Sequence, residues 1–109
     1  MTTTFVANDP VTADLPAAGS AAGSLSIAIS AASIEHVNIR VDVPFKWAWA
    51  ATAAAAVTAF SAVATHGRLP AGIYQLSARG HKGENLYLEA TSSGAVTANG
   101  ITYQTEFAR

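Results

Sequence analysis

The sequence predicts an all-β protein: a single small antiparallel sandwich or barrel of about seven strands with an extended N-terminal arm. Three observations lead there. Apolar and polar residues alternate with a period of two through IEHVNIRVDV and again from Phe45. Short alternating runs recur at spacings of about ten residues, with turn-forming clusters between them. Asn99-Gly100 stands between two such runs, and that dipeptide is the strongest short-range hairpin cue.

The chain divides into an arm, 1–24, and a sandwich domain, 25–109. In the arm, NDP, LPAAGS and AAGS are turn and linker material. Phe5, Val6 and Leu15 are its bulky apolar anchors. The segment is either a loose tail or an arm that docks on a neighbouring subunit. LSIAIS (25–30) alternates Leu25, Ile27 and Ile29 with small residues and reads as the first strand. IEHVNIRVDV follows, with Val37, Ile39, Val41 and Val43 on one face and Asn38, Arg40 and Asp42 on the other. Pro44 removes a ladder donor and marks a turn, a bulge or an edge. FKWAWA is then the next strand, or the same strand bent, with Phe45, Trp47 and Trp49 on one face.

Residues 45–65 carry a single charge, Lys46. A membrane helix needs ~20 mostly apolar residues. The length suffices, but the bulk is alanine, Leu and Ile are missing, and Thr52, Thr58, Ser61 and Thr65 interrupt. Alanine adds little transfer energy, so the run does not read as a span. Residues 52–65 read as a connection plus a short strand. A helical turn over 53–56 is the alternative, because alanine is the best helix former. Pro70-Ala71-Gly72 makes a turn before a strand at 73–78. RGHKGEN (79–85) is a polar loop, and NLYLEA is a strand with Leu86 and Leu88 on one face. GAVTA and ITYQTEFA then form the Asn-Gly hairpin. Ile101, Tyr103 and Phe107 share one side of it, and Thr102, Gln104 and Glu106 the other. Tyr74, Tyr87 and Tyr103 are expected to show outward.

A chain of 109 residues supports one domain with one core. Half its residues are hydrophobic, but 25 are alanine, so the core is thin and subunit contacts would add stability. Charged residues make up 12%, about half the usual share, and the net charge is −1. No basic patch is available for phosphates, which argues against nucleic-acid binding. With no cysteine there are no disulfides and no thiolate metal sites. MTTTFVANDP has neither the basic nor the apolar region of a secretory signal, so cytoplasmic synthesis is expected.

Catalytic patterns are missing. His36, His66 and His81 lack helical ligand spacing and read as surface histidines, and no metal is expected. No serine lies in a G-x-S-x-G elbow. The seven carboxylates are scattered, with no pair assignable to acid and base. No glycine-rich phosphate loop occurs. The chain does not read as an enzyme, and no cofactor is implied. Trp47 and Trp49 share a face with Phe45 and belong to the core or to a subunit interface. The competing use is a stacking platform for sugars. Arg79, His81 and Lys82 concentrate in the RGHKG loop, which is solvated or touches an acidic neighbour.

One order of motifs carries a resemblance. NIRV (38–41) closes a strand, and an aromatic strand follows (45–50), then an Ala/Thr stretch. LPAG (69–72) opens the next strand, and a polar glycine loop and SSGAVTANG come after it. Over 25–107 this resembles the small β-sandwich virion proteins of tailed bacteriophages, of the head decoration (cement) type. The resemblance implies a non-enzymatic subunit on the outer capsid surface, made in the host cytoplasm. It would bind and stabilise the assembled major-capsid lattice. The implied partners are the major capsid protein and copies of the chain itself in a homotrimer, with no nucleic acid and no membrane. In that frame the capsid-contact candidates are Phe5, Val6, Asp9 and Leu15 in the arm, with His66, Arg68, Arg79, His81 and Lys82 in two loops. Phe45, Trp47 and Trp49 are the subunit-interface candidates. A tail, neck or fibre subunit and a carbohydrate-binding module are the alternatives.

Overall fold

The structure is a computed structural model and describes residues 5–19, 25–30, 33–61, 66–94 and 96–108. In chain order its elements are β1 (Phe5–Ala7), β2 (Val11–Leu15), β3 (Ser26–Ala28), β4 (Ile34–Val41), β5 (Phe45–Ala50), α1 (Ala53–Phe60), β6 (Gly67–Leu69), β7 (Gly72–Ser77), β8 (Asn85–Ala90) and β9 (Thr97–Ala108). They form two antiparallel sheets. In the first, β9 is flanked on one side by β1 and β2 and on the other by β4, and β7 lies beyond β4. The second runs β3-β8-β5-β6. The all-β sandwich expected from the alternation is the observed architecture.

The core lies where period two places it. Val37, Ile39, Val41 and Ile101 of the first sheet meet Ile27, Phe45, Leu86 and Leu88 of the second, and all are buried. On β5 both faces are buried. Phe45, Trp47 and Trp49 pack toward this core, while Lys46, Ala48 and Ala50 on the opposite face are buried too. The cover on that second face is α1.

A helix therefore replaces the connection and short strand expected after Thr52; the part of that expectation on 62–65 lies outside the described residues. Four successive alanines favour the helix, and Thr52 caps it. Thr52 is extended, and its hydroxyl oxygen accepts the Ala55 N–H at 3.2 Å. At the other end the Ser61 hydroxyl donates to the Thr58 carbonyl at 2.6 Å. Ala56 and Phe60, four apart and so on one face, bury against Ala48, Ala50 and Tyr87. Tyr87, expected to show outward, is a buried residue beneath the helix.

The Asn99-Gly100 hairpin is a bulge instead. Ala13 pairs with Ile101 and Leu15 with Thr97, so β9 runs on with two extra residues between the pairs. Asn99 takes φ 51°, a left-handed conformation that asparagine tolerates. Its N–H donates to Asp14 Oδ1 at 2.9 Å. A Cβ at Gly100 would lie 2.7 Å from Thr97 Cγ2, which explains the glycine. Residues 5–15 of the expected arm are extended, and they pair with β9 of their own chain. The rest of the arm at 1–4 and 20–24 lies outside the described residues.

Candidate functional site

The outer face of the second sheet holds a buried ion pair. Cross-strand register sets Glu89, Lys46 and Arg68 abreast on β8, β5 and β6. Glu89 is only 2% exposed. Lys46 Nζ lies 2.9 Å from its Oε1, and the Gly19 N–H donates to Oε2 at 3.2 Å. Nζ also stands 5.6 Å from the centre of the Phe60 ring, a cation–π contact. Lys46, Glu89, Gly19, Val57, Phe60 and Ser61 line a cleft of about 200 Å³. The pair ties the helix and the segment around Gly19 to the sheet.

The aromatic candidates serve their own domain. Phe45 is fully buried and meets Tyr74 edge-on, with ring centres 5.7 Å apart. As a subunit-interface candidate it is thus corrected to a core residue, because no surface of it is left for a second chain. Trp47 is half-buried against the core. Its Nε1 is buried without a hydrogen-bond partner. Gly67 sits opposite it, and a Cβ there would collide with the indole. Trp49 is half-buried and stacks on His81, with ring centres 4.1 Å apart and planes 9° from parallel. His81 Nδ1 is 2.6 Å from Glu84 Oε1, and the Gly83 N–H reaches the Ile29 carbonyl at 2.9 Å. These contacts fasten the RGHKG loop to the sandwich. A sugar ring would find one face of Trp49 taken by His81 and Trp47 packed inward.

Of the arm candidates, Phe5 pairs with Ala108; its side chain lies outside the described residues. Val6 is half-buried opposite Phe107, and Asp9 is exposed between β1 and β2. Leu15 has no exposed surface and belongs to the core, which corrects its reading as a contact residue. His66 is half-buried. Its Nδ1 is 3.0 Å from the Ala59 carbonyl and its Nε2 accepts from Arg68 Nε at 3.1 Å. This bonds the histidine to the C-terminal half of α1 rather than leaving it on the surface. Arg68, Arg79 and Lys82 are exposed, and Arg79 Nε lies 3.3 Å from Glu35 Oε2. The structure joins His66 to Arg68 and His81 to Trp49. The arm candidates Phe5, Val6 and Asp9 lie on the opposite flank of the first sheet from β7.

Sequence reasoning did not single out the outer face of the first sheet. Gln75 donates to Asn38 Oδ1 at 3.0 Å, Asn38 donates to Glu106 Oε2 at 3.4 Å, and His36 Nδ1 lies 3.0 Å from Glu106 Oε1. A second row runs from Asp42 through Arg40 to Thr102, whose hydroxyl lies 2.9 Å from Arg40 Nη2 and 3.1 Å from the Thr12 hydroxyl. These rows bridge β7, β4, β9 and β2. Alternation places Asn38, Arg40, Asp42, Thr102 and Glu106 on polar faces, but it does not say which strands adjoin, and Gln75 and Thr12 enter the rows only through that adjacency. Ile73, on the edge strand β7, is 81% exposed.

Among the described residues, no group of three or more His, Asp or Glu side chains is arranged to hold a metal ion. No described helix is long and apolar enough to cross a membrane. Compared with known proteins, the chain matches no family model, no curated sequence and no solved structure.

Proposed function

We propose that this chain is a non-enzymatic virion structural subunit of the head-decoration kind, which binds and stabilises an assembled major-capsid lattice. The observation that supports this reading is the outer face of the first sheet. The two faces of the sandwich differ: α1 packs over the outer face of the second sheet, while the first sheet presents exposed and half-exposed polar side chains. Those side chains are already held by one another, from Gln75 through Asn38 to Glu106 and from Arg40 to Thr102. Groups ordered before contact lose less freedom on binding, so a repeated, nearly neutral lattice surface can be engaged without a deep pocket. The low charge of the whole chain suits the same use.

The test is co-sedimentation of the purified protein with capsids assembled from the major capsid protein of the same genome. The wild type is expected to co-sediment saturably. Asn38→Asp, which sets a second carboxylate against Glu106 in the middle of the polar rows, is expected to bind at least about tenfold more weakly. A folded wild type that stays in the supernatant overturns the reading. The resemblance attaches a threefold trimer to this role, and light scattering of the free protein reads that number separately.

A further inference from the structure

We propose that β7 is a self-pairing edge, through which two copies of this chain join antiparallel about a two-fold axis to make one continuous sheet. One flank of β7 is spent on β4, in unbroken register from His36 opposite Ser77 to Val41 opposite Gly72. Among the described residues no strand lies on its other flank. An open edge is a template for pairing, and proteins blunt it with shortness, charge, proline or a bulge. The remaining edges follow that rule. β1, β3 and β6 have three residues each, and β2 carries Asp14 and faces the bulge. β7 has none of these devices. It is six residues long, GIYQLS, with no charge and no proline, and Ile73 is more exposed than Val11, Val57 or Val96.

The same composition names the occupant. In a two-fold antiparallel pair the residue on the axis faces its own copy, and its neighbours face each other symmetrically. A charged residue near the axis would oppose itself, and like charges directly opposite are destabilising. GIYQLS, with no charge at all, meets no such repulsion in any two-fold register. With the axis at Gln75, that amide meets its own copy, and an amide both donates and accepts. Ile73 then lies opposite Ser77, and Tyr74 opposite Leu76. This contact is two-fold and departs from the trimer implied by the resemblance. It does not rest on the virion reading.

The experiment is light scattering of the full chain, free of capsids, over a range of concentrations. Wild type is expected at the mass of two chains, falling to one on dilution. Gln75 is exposed, so Gln75→Lys and Gln75→Glu leave the fold intact, checked by circular dichroism. Each alone is expected to dissociate at concentrations at least about tenfold higher than wild type. An equimolar mixture of the two variants is expected to recover the two-chain mass, because opposite charges then meet at the axis. A wild type of one chain or of three at all concentrations overturns the proposal. So does a two-chain mass that both variants retain unmixed, or a mixture that stays dissociated.

Discussion

At the level of single residues, burial on the outer face of β5 turns Lys46 from a surface charge into a structural one. Its position off the Phe45-Trp47-Trp49 face was legible from alternation. That the opposite face would be covered was not, because a period of two assigns sides and says nothing of what lies over them. Glu89 was hidden for the same reason, as one charge inside NLYLEA. Removing one partner of a buried pair strands the other charge away from water. Glu89→Ala is expected to lower unfolding free energy by about 3–5 kcal/mol in urea titrations, while Lys46→Met with Glu89→Leu together is expected to lose much less. Equal losses for the single and double changes would mean that the pair is not what holds the two groups. Trp47 and Trp49 were readable as inward-facing. The His81 stack on Trp49 was not, since it depends on where a loop folds back.

Among elements, β4, β5, β7 and β8 were readable nearly to their ends, because each combines clean alternation with a proline, glycine or polar loop at its boundary. The hairpin and the alanine run depart from expectation for separate reasons. Asn-Gly reports a left-handed backbone, and a turn and a bulge both use one; only the presence of β2 beside β9 selects the bulge. In the alanine run, helix propensity competes with the continuing strand pattern. The helix wins because its small residues let it lie close over Ala48 and Ala50, with Phe60 as its anchor. A helix of eight residues is too short to stand without such packing and a cap. Thr52→Ala is accordingly expected to cost about 1 kcal/mol, read as a lowered urea midpoint with unchanged slope.

For the whole molecule, the consequential finding is that residues 5–15 belong to the sheet. Deleting 1–15 would expose one flank of β9 along its length and remove Leu15 from the core. The truncated chain is expected to lose its cooperative thermal transition, followed by circular dichroism; a melting temperature unchanged from wild type would mean that the strands merely rest on the surface. Fold class was legible because alternation is a property of the whole chain. Strand adjacency was not, because β9 draws partners from both ends of the sequence. That arrangement also sets a clock. β9 is the central neighbour of β1, β2 and β4, yet it is made after every other described strand. Until residue 108 has been made, the earliest strands have nothing to pair with and β4 lacks one flank. Sheets closed by such distant pairings fold in about milliseconds to seconds rather than microseconds. The nascent chain therefore spends that interval with unpaired strand edges, the state in which aggregation competes with folding.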